Sequence, residues 1–166
     1  MKSLVIYSSQ TGNTKAVATH IAAALSDAAL CDAAYVPENL DDFDLIFVGF
    51  WAYRRGADPM ATKILENLHG KRVAVFGTAG AYPETEAGQN YLKNAEALLP
   101  EDATYLGGFL CQGRVASFHR FLETGKRASG HEMSDARRAR LLEAENHPNE
   151  TDFAAAAEFA KMVEKG

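Results

Sequence analysis

Residues Ser8–Thr14 have the sequence Ser-Ser-Gln-Thr-Gly-Asn-Thr, and the architecture of the chain can be worked out from this stretch. It follows an apolar run, Ser3–Tyr7, and precedes a helical pattern of apolar residues that begins near Asn13. The N–H groups in the first turn of a helix have no partner inside the helix, and the helix dipole adds partial positive charge there. A strand that ends in hydroxyl groups and a glycine and then starts a helix therefore indicates a phosphate-binding loop.

The residues of this loop narrow the class of phosphate ligand. Gly12 lets the backbone approach an anion closely, and Ser9, Thr11 and Thr14 can each donate a hydroxyl hydrogen bond to a phosphate oxygen. The loop has neither the lysine-containing pattern of nucleotide triphosphate sites nor the triple-glycine pattern of dinucleotide sites. A single terminal phosphate monoester, such as that of FMN, suits it better. The alternative is an ordinary hydroxyl cap at the start of a helix.

The same loop resembles that of a known family. Ser9–Thr14 matches the flavodoxin phosphate-loop signature, Thr/Ser-x-Thr-Gly-x-Thr, at every specified position. The resemblance extends from residue 1 to about Gly113 and resumes at the last helix. It implies a three-layer α/β/α sandwich whose parallel sheet has five strands in the order 2-1-3-4-5. It also implies non-covalent FMN at the strand ends, and electron transfer.

Composition limits the class of protein. The chain has 166 residues, of which 47% are hydrophobic and 23% charged, which suits one globular domain over residues 1–166. No apolar run reaches membrane-spanning length, and Met1 leads directly into a strand, so we expect a cytoplasmic protein without a membrane partner. The net charge of −5 argues against nucleic-acid binding. Cys31 and Cys111 are expected to be free thiols, and no cysteine or histidine spacing indicates a metal site.

Strands and helices alternate along the chain, which predicts a parallel α/β sheet with right-handed crossovers. The predicted strands are Lys2–Tyr7, Leu30–Val36, Phe43–Gly49, Lys71–Thr78 and Thr104–Gln112. The predicted helices are Asn13–Ala29, Asp58–Leu68, Glu84–Leu99, Ser134–Asn146 and Thr151–Glu164, and Asp58 is expected to cap the second of them.

Three predicted loops, 8–14, 50–58 and 78–85, follow strands at the edge of the sheet where ligands bind in such folds. The second and third loops carry large aromatics, on which a flat isoalloxazine ring can stack. The alternative is that these aromatics cap the core. The resemblance assigns stacking to Tyr53, whereas the position of the only tryptophan favours Trp51. The predicted FMN-binding residues are Ser9, Gln10, Thr11, Gly12, Asn13, Thr14, Phe50, Trp51, Ala52, Tyr53, Thr78, Ala79, Gly80, Ala81 and Tyr82.

Residues 114–150 form an insertion that the resemblance does not explain. This segment carries seven cationic and six acidic side chains, whereas the rest of the chain carries 10 and 16. Phe118, Phe121 and Leu122 form an apolar cluster at helical spacing, which needs a surface to bury on. We expect either a flap packed over the edge of the sheet or a surface for a partner or a second copy near the flavin.

The leading functional hypothesis is an FMN-binding electron carrier that serves a redox partner protein, a reductase or a terminal enzyme, as a monomer or weak dimer. The alternative is a small FMN-dependent NAD(P)H:acceptor oxidoreductase, and a binding module without flavin is a third class. Receiver domains and small phosphatases share the fold but need acidic or Cys-x5-Arg motifs that are absent here. Four strings resemble a bacterial flavodoxin-like subgroup that includes proteins encoded beside bilirubin reductase: Phe50-Trp51, Gly80-Ala81-Tyr82-Pro83, Cys111-Gln112-Gly113 and His147-Pro148.

Overall fold

The computed structural model describes residues 1–125 and 133–166. Its strands are β1 (Ser3–Tyr7), β2 (Ala28–Asp32), β3 (Leu45–Tyr53), β4 (Gly56–Ala57), β5 (Arg72–Ala79) and β6 (Thr104–Gln112). Its helices are α1 (Asn13–Ala24), α2 (Pro59–Leu65), α3 (Glu86–Glu96), α4 (Ala116–Thr124), α5 (Asp135–Ala144) and α6 (Glu150–Lys165), with a 3-10 turn at Ala33–Tyr35. Within these ranges no helix is long and apolar enough to cross a membrane.

The main sheet has the strand order β2-β1-β3-β5-β6, and all of these neighbours are parallel. The two-residue strand β4 pairs only with β3, in the antiparallel sense. With β4 left aside, the order is the predicted 2-1-3-4-5, which is confirmed. Every residue of β1 is buried, as expected for a strand that is covered on both faces.

Helices cover both faces of the sheet and complete the three predicted layers. On one face, α1 and α6 pack over a cluster that includes Val17, Phe47 and Phe159. On the other face, residues of α2 and α3, among them Leu65 and Leu92, join the second cluster. The parallel strands end at one edge of the sheet, and the segments that follow them there form the site described below.

Strand β3 extends four residues beyond the predicted end at Gly49. Gly49 lies inside the strand, where a Cβ atom would collide with the ring of Phe76 on β5. The chain continues to Tyr53, turns through two residues and returns as β4, so that Tyr53 pairs with Gly56. The predicted loop 50–58 is therefore largely a β-hairpin, and the prediction of a loop there was wrong.

The connection between α1 and β2 also differs from the prediction. Helix α1 ends at Ala24 rather than Ala29, because Leu25 has extended backbone angles and residues 25–27 bend into β2. The backbone N–H and the hydroxyl of Ser26 donate to Oε1 of Glu164 at 3.0 and 2.6 Å. Strand β2 consequently starts at Ala28, two residues before the predicted Leu30.

The insertion, which we call the flap and define as residues 114–150, contains α4 as well as the predicted helix after Ser134. Helix α4 carries the apolar cluster, of which Phe118 is buried, Phe121 is half-buried and Leu122 is exposed. The Ser134 hydroxyl accepts from the backbone N–H of Arg137 at 3.1 Å, which confirms the predicted cap. Residues 126–132 of the flap lie outside the described residues. Val115 lies against Gly80, so the flap begins beside the carboxyl end of β5.

Candidate functional site

A cleft of about 360 Å³ opens at the end of the sheet where the carboxyl ends of the parallel strands lie. Four segments line it: the phosphate loop after β1, the β3–β4 hairpin, the end of β5 and the start of the flap. The structure thus brings together residues that are far apart in the sequence. The predicted site residues in the lining are Ser9, Gln10, Thr11, Asn13, Thr14, Trp51, Ala52, Thr78, Ala79 and Gly80.

The phosphate loop presents donors to this cleft. Gly12, with φ of 92°, is the residue before α1, a conformation that glycine adopts without strain. The backbone N–H of Gly12 donates to the Ser9 hydroxyl oxygen at 3.1 Å, which leaves the hydroxyl hydrogen of Ser9 available. Thr11 is exposed and lines the cleft. Together with the N–H groups of the first turn of α1, these hydroxyls can donate hydrogen bonds to the oxygens of one phosphate group.

Thr14 has a different role from the one predicted for its hydroxyl. Its Oγ1 atom lies 3.3 Å from the carbonyl oxygen of Phe50 and 2.9 Å from Oγ1 of Thr78, and the residue is 1% exposed. A hydroxyl that already bonds to two buried groups is not free for a ligand. Thr14 therefore fastens the phosphate loop to β3 and β5, and only its backbone N–H remains for an anion.

Trp51, and not Tyr53, forms the aromatic wall of the cleft. Trp51 is half-buried and lines the cleft, whereas Tyr53 lies behind it. The two rings meet edge-on with centroids 5.6 Å apart. The guanidinium carbon of Arg54 lies 5.2 Å from the centroid of the Tyr53 ring, which places a cation next to this aromatic pair.

Five predicted site residues do not line the cleft: Gly12, Phe50, Tyr53, Ala81 and Tyr82. The ring of Phe50 is fully buried against Gly77 in the core, and its carbonyl oxygen accepts from the Thr14 hydroxyl. Ala81 packs half-buried against the core cluster. Tyr82 is half-buried, and its carbonyl oxygen accepts from the hydroxyl of Thr85 at the start of α3.

A buried carboxylate fixes the hairpin beside the phosphate loop. Asp58 is 1% exposed and caps α2 through a 3.2 Å bond from the backbone N–H of Ala61, as predicted. Its other oxygen accepts from the backbone N–H of Trp51 at 3.1 Å. Oδ2 also accepts from the Ser8 hydroxyl at 2.6 Å. These contacts were not foreseen, because the sequence indicates only the cap.

The start of the flap crosses from β6 to the N-terminus of α1. The backbone N–H of Gly113 donates to the carbonyl oxygen of Ala79 at 2.8 Å. The Asn13 side-chain amide then donates to the carbonyl oxygen of Arg114 at 3.0 Å. A Cβ atom on Gly113 would lie 2.8 Å from Nδ2 of Asn13, so a larger residue at this position would displace the Asn13 side chain.

This crossing adds lining residues that the sequence analysis missed. They include Val115 and Ser117, and two cations, Arg114 and Arg120. No local sequence signal places them in the site, since residues of the phosphate loop precede them by about 100 positions.

Two histidines bind the flap elements to one another. Nδ1 of His119 lies 2.7 Å from Oε1 of Glu145, whose other oxygen is 3.5 Å from Nε of Arg114. Further along, Nδ1 of His147 lies 2.6 Å from Oδ2 of Asp152 and Nε2 lies 2.9 Å from Oε1 of Glu143. Burial lowers the pKa of His147, but its hydrogen bonds to these two carboxylates and their charges outweigh burial, and the net shift is upward.

Comparisons with known proteins agree with this architecture. A model of the flavodoxin domain matches residues 4–161. The flavodoxin-like domain-containing protein BilS of Clostridioides difficile (strain CD3) is 34% identical over an alignment of 171 positions, which covers 98% of this chain and 96% of that protein. Oxidised Flavodoxin 2 from Bacillus cereus has a TM-score of 0.64 at 21% identity, over 99% of each chain. A flavoprotein in complex with FMN from Lactobacillus acidophilus has a TM-score of 0.52 at 19% identity, over 66% of this chain and 92% of that one. The resemblance found in the sequence is confirmed, and the chain belongs to the flavodoxin family.

Proposed function

We propose that this protein binds FMN non-covalently in the cleft and carries electrons to a redox partner protein. The observation that supports the proposal best is that the phosphate loop and Trp51 line the same cleft. FMN joins a phosphate monoester to a flat aromatic ring. The phosphate loop suits the first of these groups, and the ring of Trp51 suits the second. Membership of the flavodoxin family and the FMN complex of the Lactobacillus acidophilus flavoprotein add support.

The residues present fit this cofactor in size and charge. The cleft volume of about 360 Å³ lies within the range of small-molecule sites. None of the described residues that line it is acidic, so a dianionic phosphate at the loop would meet hydroxyls and N–H groups without repulsion from a carboxylate in the lining. Its apolar lining includes Trp51, Ala52, Val115 and Ala116, which can exclude water from a ring.

Bound FMN would supply a ring that takes up and releases electrons reversibly. The chain itself would bind the phosphate through the Ser9 and Thr11 hydroxyls and orient the ring with Trp51. Asp58 would hold the backbone of Trp51 in register with the phosphate loop. The absence of a dinucleotide fingerprint from the sequence favours a carrier over a reductase that binds NAD(P)H directly.

The experiment is a titration of apoprotein with FMN and with riboflavin, followed by flavin fluorescence. Riboflavin lacks the phosphate, so FMN should bind at least about tenfold more tightly, because charge-assisted hydrogen bonds contribute about 1.5–3 kcal/mol each. Equal affinities would contradict the assignment of the phosphate loop.

The holoprotein is then mixed with NADH or NADPH alone, and rapid bleaching of the flavin would favour the oxidoreductase over the carrier.

A further inference from the structure

Four arginines lie in the cleft lining or at the tip of the hairpin that forms one of its walls, and we call them the arginine rim: Arg54, Arg55, Arg114 and Arg120. Arg114 and Arg120 are part of the lining. Arg54 and Arg55 form the tip of the hairpin whose first strand carries Trp51 into the cleft. All four side chains belong to exposed residues. The whole chain has a net charge of −5, so this group of four cations is a local departure from its overall sign.

The charges of the rim are largely unneutralised. In residues 1–125 and 133–166, Arg54, Arg55 and Arg120 have no carboxylate within the 4.0 Å of an ion pair. Arg114 has one contact, at 3.5 Å, with Glu145. Glu145 is shared with His119, which also contacts Glu123 at 3.0 Å. Glu145 is therefore shared between Arg114 and His119, whereas Arg54, Arg55 and Arg120 are exposed and have donors to spare.

The hairpin tip contains arginines where the backbone favours other residues. Arg54 and Arg55 have φ of 45° and 67°, the left-handed conformation at both central positions of a two-residue turn. Such turns favour asparagine and glycine, because other side chains are strained there. Asn94 holds the tip in place by donating a 2.6 Å hydrogen bond to the carbonyl oxygen of Arg55. Turn geometry thus does not explain the arginines, and strain of this kind concentrates at functional sites.

We infer that the electron-transfer partner is a protein that docks on the arginine rim through an acidic surface. This inference rests on the proposed function, because a partner must approach the cleft only if the cofactor lies there. Guanidinium groups pair with carboxylates in two-pronged geometry and at low desolvation cost, which makes them suited to a protein interface. Docking at the rim brings the partner to the aromatic wall formed by Trp51.

The test measures electron transfer to two haem proteins of opposite charge as ionic strength changes. The holoprotein, saturated with FMN and reduced by dithionite, is mixed with acidic cytochrome b5 or basic cytochrome c. Each ferric haem takes up one electron, which the reduced protein loses. We expect the rate constant with cytochrome b5 to fall at least about threefold between roughly 0.02 and 0.3 M salt, because salt screens attraction to the rim.

The direction in which the rate changes with salt shows whether the charge of the rim or the net charge of the protein controls the reaction with cytochrome b5. Both this protein and cytochrome b5 are net negative, so control by net charge would make the rate rise with salt as repulsion is screened. A rate with cytochrome b5 that rises with salt, or a rate with cytochrome c that falls more steeply, would overturn the inference while leaving FMN binding intact.

Substitutions test whether the salt dependence of electron transfer to cytochrome b5 comes from the arginine rim. The double variant Arg54→Gln/Arg120→Gln should lose most of the salt dependence with cytochrome b5. Arg72→Gln is the matched control, because Arg72 lies at the first position of β5, at the opposite edge of the sheet from the cleft. Arg72→Gln removes one charge and the double variant two, so an effect of Arg72→Gln half as large as that of the double variant would show that only total charge matters. A double variant with weaker FMN binding but unchanged salt dependence would place these arginines in the cofactor site instead, and would overturn the inference.

A second readout needs no cofactor, so that failure of the proposed function can be told apart from failure of the docking inference. Polyglutamate and polylysine are titrated into the protein as isolated, and Trp51, the only tryptophan, reports binding through its emission. Polyglutamate should alter the emission of the wild type, and the double variant should require at least about tenfold more of it. A response to polylysine alone would overturn the inference whether or not FMN binds.

Discussion

The Ser8 hydroxyl donates a 2.6 Å hydrogen bond to Oδ2 of Asp58, and both residues are buried. The same carboxylate accepts from the backbone N–H groups of Trp51 and Ala61. One side chain thus joins the end of β1, the aromatic wall and the first turn of α2. The relative placement of the two halves of the cleft depends on it.

Replacement of Asp58 by alanine should therefore lower the free energy of unfolding by about 3 kcal/mol, because it removes a helix cap and leaves buried donors unsatisfied. Chemical denaturation measures the change. Asp42→Ala, at an exposed position with no contact to the site, is the matched control and should have little effect. A loss below about 1 kcal/mol in Asp58→Ala would show that the carboxylate does not hold these elements together.

The two threonines of the phosphate loop should respond differently to substitution by valine. Thr11→Val removes an exposed hydroxyl in the cleft, so it should weaken FMN binding about tenfold and leave stability unchanged. Thr14→Val removes the buried partner of Thr78 and Phe50, so it should lower the free energy of unfolding by about 1–3 kcal/mol. Flavin titration and denaturation are measured on both variants. Similar profiles for the two would contradict the inward position of the Thr14 hydroxyl.

The elements that could be predicted are those with local signals. Strand β6 has the predicted bounds, and the caps Asp58 and Ser134 are where the sequence indicates them. Gly49 misled the prediction, since the glycine that suggests the end of a strand is there to make room for the Phe76 ring. The early end of α1 lies beside the Ser26–Glu164 contact, which spans 138 residues and which no local pattern shows.

The candidate site, like the fold, could be predicted only where a local sequence signal exists. The phosphate loop and Trp51 follow strands, and the ends of parallel strands meet at one edge, so their meeting could be foreseen. Arg114 and Arg120 could not be foreseen, because the flap reaches the phosphate loop through the Asn13–Arg114 contact over 101 residues. Tyr53 was assigned by resemblance, but the extension of β3 into a hairpin carries it past the cleft.

Trp51→Ala should weaken FMN binding and restore flavin fluorescence, because the indole is the aromatic group in the cleft lining. Tyr53→Ala should have a smaller effect, since its ring contacts Trp51 rather than the cleft. Both variants are titrated with FMN, and the emission of the bound flavin is compared. A larger effect of Tyr53→Ala would mean that the hairpin rearranges on binding to bring Tyr53 against the ring.

The pH dependence of stability should contain a contribution from His147. Its pKa is raised in the folded protein, so its stabilisation is fully present below about pH 6.5, the unfolded value, and is lost as pH rises through the folded value. The protonated ring can donate to Asp152 and Glu143 at once, whereas the neutral ring has one donor. The free energy of unfolding should therefore fall more between pH 6 and 8 in the wild type than in His147→Gln, as followed by denaturation at each pH. Parallel curves for the two proteins would exclude this contribution.

Arg55→Gly should make the protein more stable and worse at docking. Glycine adopts the φ of 67° found at this position without strain, and the bond from Asn94 to the carbonyl oxygen does not need a side chain. The free energy of unfolding should rise by about 0.5–1 kcal/mol, because about 1–2 kcal/mol of left-handed strain is relieved and the greater freedom of glycine in the unfolded chain offsets part of it. The same change removes one cation of the arginine rim, so the salt dependence of electron transfer to cytochrome b5 should weaken.

Arg55→Gln is the matched control, because it removes the charge and keeps the strain. If both variants lose the salt dependence and only Arg55→Gly gains stability, the arginine is present for its charge at a cost in stability. A gain in stability with unchanged salt dependence would remove Arg55 from the docking surface.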